Sequence, residues 1–425
     1  MTEQETARPV RKRQVFYIPG YDPIHPRRYR ELYRKEGADQ AAISGYALSL
    51  SPASGARYGW QIEAEIDGAK VDTKVEVLVW SDIVRDSMEN TIPATYLQLV
   101  RTAWTYLASG ALFRLMFLRK GPIIAALYPV GMLLLQLVVA LLIGAFCTWV
   151  FQALSVFVAG LMIPIPEVVE AYRPVFFLLS VPLFPMTTIA VLRWFKSKDN
   201  RFFAYYLMHD YAYSAHWNGA NPPELKARMS RFRGAIIEAL SSDVDEVLVV
   251  GHSSGAHLAV SILADILRAG AVREAGPALG FLSLGQVVPM VSFLRDAGRL
   301  RADLRMLSEQ DLVAWVDVTA PGDGCAFALC DPVSVSGVAR EDKKKWPLVI
   351  SAAFTQSLSP ERWSELRWRF FRLHFQYLCA FDRPKDYDYF QITAGPKTLA
   401  ERFKDRPPSK SRIERPLNRY TSVNT

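Results

Sequence analysis

Residues 121–166 contain no charged side chain, an apolar run of 46 residues. A helix needs about 20 apolar residues to cross the hydrocarbon core of a bilayer, so this run is ample. A soluble helix that is apolar on every face over such a length is rare. The run is therefore expected to enter a membrane, either as one tilted helix over about 125–160 or as a crossing helix with an interfacial extension. A short polar connection, Glu167 to Arg173, leads to a second apolar segment, Val175 to Leu192. Its Pro182 and Pro185 are tolerated better in lipid than in water. Arg114, Arg119 and Lys120 precede the pair, and Arg193, Lys196, Lys198 and Arg201 follow it. The connection carries only Glu167, Glu170 and Arg173. The positive-inside rule then puts both outer ends in the cytoplasm, with the remainder of an integral membrane protein facing that side (the inner membrane in a bacterium).

Bulk properties agree. Half of the residues are apolar, and the mean hydropathy is +0.07. The net charge of +8 is concentrated in the tails and beside the apolar run. That placement suits attraction to anionic lipid, and no groove-reading motif supports nucleic-acid binding. The bilayer is thus the expected partner, while the oligomeric state is left open. The four cysteines, Cys147, Cys325, Cys330 and Cys379, show no metal-ligand spacing, so a reduced protein without a metal site is expected. The stretch MTEQETARPVRKRQ has no apolar segment of the kind a signal peptide needs.

A different pattern governs residues 246–269. Val247 to Val250 read as a strand running into Gly251-His252-Ser253-Ser254-Gly255, and Leu258, Ile262, Leu263, Ile266 and Leu267 then mark a helix. A strand, a Gly-x-Ser-x-Gly turn and a helix form the setting of a nucleophile elbow, in which a strained Ser projects above a sheet between small neighbours. The N–H of Ser254, at the helix N-terminus, is placed to stabilise an oxyanion. An ordinary glycine-rich turn with capping serines is the plainer reading.

Around these features the chain divides readily. A flexible basic arm is expected over 1–13. The first part of an α/β domain follows over 14–120. The membrane hairpin occupies 121–200, the second part of the α/β domain 201–400, and a disordered basic tail 401–425. Val15 to Ile18 read as a strand entering Pro19-Gly20-Tyr21, where the N–H of Tyr21 is the second oxyanion candidate. Further strands are expected at 46–51, 57–66 and 70–80, with a hairpin at Asp67-Gly68. Residues 92–120 mix Tyr96, Trp104, Tyr106 and Phe113 with Arg101, Arg114 and Arg119, which fits either an interfacial or a buried amphipathic helix. Asn221 reads as the cap of a helix extending to Leu240.

The segment Gly251-His252-Ser253-Ser254-Gly255-Ala256-His257 resembles the elbow of α/β-hydrolase lipases and esterases, and Ser283-Leu284-Gly285 is similar to the strand end that follows it in class 3 lipases. The resemblance covers roughly 15–80 and 220–380, with the hairpin inserted outside it. It implies a mostly parallel sheet flanked by helices and hydrolysis of a carboxylic ester or thioester, lipid-like in this setting, without a cofactor. The same family order, nucleophile then acid then base, leaves His374 as the base, because it is the one histidine downstream of the elbow helix. Asp323, in a Pro-Gly-Asp-Gly loop after a strand, is the preferred acid, with Asp317 and Asp331 as alternatives. The oxyanion loop departs from the usual His-Gly. A non-catalytic membrane scaffold that keeps the hydrolase architecture is the competing expectation.

Overall fold

The computed structural model describes residues 9–53, 55, 57–88, 91–163 and 165–424. The chain divides into two compact units, one comprising 1–87, 103–125 and 213–425 and the other 88–102 and 126–212.

The first unit is built on an eight-stranded sheet. Its strands are β1 (Lys12–Ile18), β2 (Ala47–Pro52), β3 (Gly59–Ile66), β4 (Ala69–Val77), β5 (Glu246–His252), β6 (Ala278–Leu284), β7 (Ala314–Thr319) and β8 (Leu348–Ser351), in the order β2-β3-β4-β1-β5-β6-β7-β8. β2, β3 and β4 pair antiparallel and every other pair is parallel. The β3–β4 hairpin closes through Asp67 (φ 54°) and Gly68 (φ 74°), the left-handed pair that an Asp-Gly turn accommodates.

Both faces of the central strands are buried, which explains why β5 reads as a continuous apolar run rather than an alternation. Val15, Tyr17, Leu248, Val250, Leu282, Leu284, Val316 and Val318 share one cluster with Tyr29 and Tyr33 of helix α1 (Arg27–Ser44) and with Tyr377, Phe381 and Phe390. The intervening residues, including Val247, Val249, Phe281 and Trp315, turn to the other face.

At the ends of the chain one boundary and one expectation are corrected, while residues 1–8 of the expected basic arm lie outside the described residues. Arg13, assigned to the flexible arm, lies inside β1 and is fully buried against Glu246 (Nε–Oε2 2.5 Å). Its guanidinium also donates to the carbonyls of Gly395 and Lys397, and Glu246 accepts the Leu399 N–H. This set of bonds compensates the desolvated charges and ties β1 to β5. The tail expected to be disordered beyond 401 is instead bonded to the sheet unit. Ser409 N–H donates to Val349 on the edge strand β8, Ile413 N–H donates to Leu329, and Arg301 donates to the Ser422 carbonyl. Its composition looks disordered, yet its backbone covers an exposed sheet edge, a gain that composition does not register.

Along the chain, α2 (Ser81–Met88), α3 (Ile92–Ala108) and α4 (Ala111–Leu118) follow β4, so Ser81 begins a helix. After them come α5 (Lys120–Met162), α6 (Pro166–Ser180), α7 (Leu183–Ser197), α8 (Asp199–Phe202) and α9 (Ala204–His216). α5 is one continuous helix of 43 residues, about 65 Å at 1.5 Å per residue, and 166–197 is a second apolar helical stretch interrupted near Pro182. Both are long and apolar enough to cross a membrane, each with an 18-residue stretch of mean hydropathy 2.6 or 2.2 of which 22% and 17% is buried. They meet closely, since a Cβ added to Gly144 would lie 3.0 Å from the Phe184 carbonyl, and Gln152 donates to Ser180 Oγ at 2.7 Å.

The sheet unit resumes with α10 (Pro223–Leu240), α11 (Gly255–Arg268), α12 (Val288–Ser292) and α13 (Gly298–Ser308). Pro222 rather than Asn221 occupies the cap position of α10, without a side-chain cap bond. α10 and α11 pack on β5, and α13 packs on α11.

Candidate active site

The connections leaving β1 and β5 run to opposite sides of the sheet, so the gap between these neighbours is a topological switch point. In open α/β sheets such a point, at the carboxyl ends of the strands, forms a crevice. Ser253 stands there. It adopts φ 55°, a left-handed conformation that strains a non-glycine residue by on the order of 1–3 kcal/mol. Its N–H donates to the Leu284 carbonyl (2.9 Å), while α11 begins two residues later. The two flanking glycines have separate reasons. A Cβ on Gly251 would lie 2.8 Å from Ala256 Cα, and one on Gly255 would lie 2.1 Å from the Ile18 carbonyl of β1.

The loop leaving β1 presses on the same serine. A Cβ added to Gly20 would fall 2.9 Å from Ser253 Cβ and 3.4 Å from its Oγ. Trp80 Nε1 donates to the Pro19 carbonyl and fixes this loop. Tyr21 is buried, its hydroxyl 2.5 Å from Ser87 Oγ and its ring against Trp80 and Tyr213. Of the two oxyanion candidates, Ser254 directly follows Ser253, and Tyr21 follows Gly20, the residue that packs against Ser253.

His374 ends the short helix Phe370–His374 and is buried. Its Nδ1 lies 2.8 Å from Asp323 Oδ2. Asp323 sits in the loop after β7, where its other oxygen accepts the Cys325 N–H (2.9 Å) and Tyr377 donates its hydroxyl to Oδ2 (3.0 Å). Burial opposes ionisation of Asp323, but the adjacent His374 and these hydrogen bonds prevail and hold its carboxyl below the usual value. With Nδ1 facing Asp323, Nε2 is the nitrogen left for proton transfer. A Cβ on Gly285 would lie 3.1 Å from His374 Cε1, and Gly285 directly follows the residue that accepts the Ser253 N–H. Imidazole and serine thus meet the same short stretch at the end of β6.

The other two acids lie elsewhere. Asp317 is fully buried within β7 and accepts a hydrogen bond from Ser283 Oγ (2.5 Å), which itself accepts one from Trp315 Nε1. Burial raises its carboxyl to about 8. Asp331 caps the helix Pro332–Val335 beside Lys344. Of the three candidate acids, Asp323 is the one in contact with His374.

Two participants escaped the sequence reading. Tyr377 lies one helical turn beyond His374, and that i, i+3 spacing was the available signal; its hydroxyl also accepts the Ala320 N–H. His252, immediately before Ser253, is the second. It is buried, with its Nε2 3.0 Å from the His374 carbonyl and its ring centroid 4.8 Å from that of His374. A carbonyl only accepts, so Nε2 carries the proton. Burial first and the neighbouring His374 second lower the His252 pKa to about 3, which keeps the ring neutral.

Asp323, Cys325 and His374 also offer three ligand atoms within 4.8 Å of one another. The 2.8 Å between His374 Nδ1 and Asp323 Oδ2 suits a shared proton, however. Two ligands of a tetrahedral zinc, each about 2.0–2.1 Å from the ion, stand roughly 3.3 Å apart. Both oxygens of Asp323 already accept hydrogen bonds, so the donor set does not favour an ion. No family model matches this chain, and neither a curated protein nor a solved structure does.

Proposed function

We propose that the protein is a membrane-anchored serine hydrolase of α/β-hydrolase type, cleaving a lipid-like carboxylic ester or thioester through an acyl-enzyme on Ser253. The observation that carries this reading is the conjunction of a strained serine at the carboxyl end of a central parallel strand with a buried His374–Asp323 pair. In the proposed reaction, Ser253 Oγ attacks the acyl carbon and passes its proton to His374 Nε2. Asp323 stabilises the imidazolium, and the N–H groups of Ser254 and Tyr21 stabilise the oxyanion. The C–O or C–S bond to the leaving group breaks as His374 protonates that group. Water then attacks the acyl-enzyme, giving a proton to His374, and the carboxylic acid departs as Ser253 regains its proton. The two long apolar helices anchor the enzyme, with the cationic flanks on the cytoplasmic side.

The test is labelling of the detergent-solubilised protein by a fluorophosphonate. Wild type is expected to be labelled, and Ser253→Ala abolishes the adduct. His374→Ala slows it by about a thousandfold or more. A folded wild type that takes no label refutes the hydrolase reading and leaves a membrane scaffold in its place.

A further inference from the structure

Helix α4 reads ALFRLMFL, apolar everywhere except Arg114. One face packs inward through Ala111, Leu115 and Leu118, while Phe113, Met116 and Phe117 on the other are 57%, 41% and 80% exposed. A helix at a water-facing surface carries polar side chains on that outer face, so this one requires an apolar neighbour. Its position in the sheet unit is fixed. Arg114 donates to the Leu417 carbonyl, and Arg119 donates to the Ala328 carbonyl.

The next residues connect this face with the candidate site. Gly121, in the first turn of α5, lies against Gly324, where an added Cβ would come 3.3 Å from the Gly324 carbonyl. Gly324 follows Asp323, and its own Cβ would meet the Phe370 ring at 3.3 Å. The acid loop is thus held between the root of the long apolar helix and Phe370. Phe370 is 51% exposed and Trp368 71%, with the Arg367 guanidinium 5.6 Å above the Trp368 ring. Exposed aromatic residues mixed with arginine beside the start of a crossing helix have the composition of a bilayer interface.

We infer that Phe113, Met116, Phe117, Trp368 and Phe370 form a rim seated in the headgroup–acyl boundary of the bilayer that α5 enters. Through it the site receives a membrane-resident lipid ester directly from the bilayer surface. The identity of the substrate rests on the hydrolase reading above; the seating of the rim does not. Continuity with α5 selects lipid as the occupant over a second copy of the chain.

The experiment places a benzophenone-bearing phenylalanine analogue at position 117 or 370 of the full chain. A control carries it at exposed Lys404. The chains are reconstituted in phosphatidylcholine–phosphatidylglycerol liposomes containing tritiated lipid and irradiated. Positions 117 and 370 are expected to capture lipid and position 404 not to. Capture no greater than at Lys404, or cross-linking to a second copy, overturns the inference. In parallel, Trp368→Ser combined with Phe117→Ser is expected to keep fluorophosphonate labelling and soluble-ester turnover within about twofold. The same pair lowers turnover of a vesicle-embedded ester at least tenfold, as loss of two seated aromatics should. Equal losses on both substrates, or none, refute lipid delivery through the rim. A wild type that takes no fluorophosphonate label refutes the hydrolase reading alone, and the cross-linking still decides the rim.

Discussion

Replacing Asp317 by Asn should stabilise the protein increasingly as pH rises. In the folded chain this carboxyl is fully buried and one of its oxygens accepts the Ser283 hydroxyl. Burial raises its pKa to about 8, Asp331 adds to the rise, and the Ser283 and Gln286 hydrogen bonds oppose it. The unfolded carboxyl titrates near 3.9. Between these values the unfolded chain has lost a proton that the folded chain keeps, so stability falls as pH rises. The contribution is fully present below about pH 4 and is lost progressively as pH approaches about 8. At pH 7 roughly three pKa units separate the unfolded group from its solution, at about 1.4 kcal/mol each, an upper limit of roughly 4 kcal/mol. Asn has the shape of the protonated acid and cannot ionise. At about 2 °C per kcal/mol, the variant should melt up to about 8 °C higher at pH 7 and equal to wild type near pH 4. Thermal unfolding followed by tryptophan fluorescence in detergent from pH 4 to 8.5 measures this, and the difference between the two proteins cancels other titrating groups. Asp323 acts in a separate window, because its lowered pKa adds stability above about 4 that disappears as pH falls through the folded value. A Tm difference that is flat with pH, or an Asn variant less stable at pH 8, would show that Asp317 is ionised in the folded state.

Three further outcomes are expected. Tyr377→Phe removes a donor to Asp323 and the acceptor of the Ala320 N–H, each loss worth about 1–3 kcal/mol; Tm should drop and fluorophosphonate labelling slow by about tenfold, and unchanged kinetics would deny Tyr377 a positioning role. His252→Phe loses the donor that holds the His374 carbonyl, so labelling should slow by about tenfold, with His252→Gln, which retains an N–H donor, recovering most of the rate; equal rates in the two variants would contradict this. Prolonged dialysis against a strong chelator should leave labelling unchanged, whereas a loss reversed by added zinc would place an ion among Asp323, Cys325 and His374.

Much of the framework was legible because its causes are local. The strand before Ser253, the small residues around it and the helix after it follow from periodicity and backbone sterics within some twenty residues. The Asp67-Gly68 hairpin was equally local, since both residues accept left-handed backbone. The apolar helices were read from an absence of charge that needs no partner to be informative. β8 went unread, because its four residues, Leu348–Ser351, are too short to show a period.

By itself, then, the sequence determined the strand, turn and helix around Ser253, the two apolar helices and the sheet segments, all products of interactions between near neighbours. Only the tertiary structure decided which acid meets His374, since Asp317, Asp323 and Asp331 all follow or lie within the same strand region, and His374 stands 51 residues from the one it meets. It also decided that Arg13 is buried, through bonds to residues more than 230 positions distant. The basic tail closes a sheet edge for the same reason. The free energy of a buried charge or an exposed edge depends on what the fold places beside it, and no local window of sequence contains that neighbour.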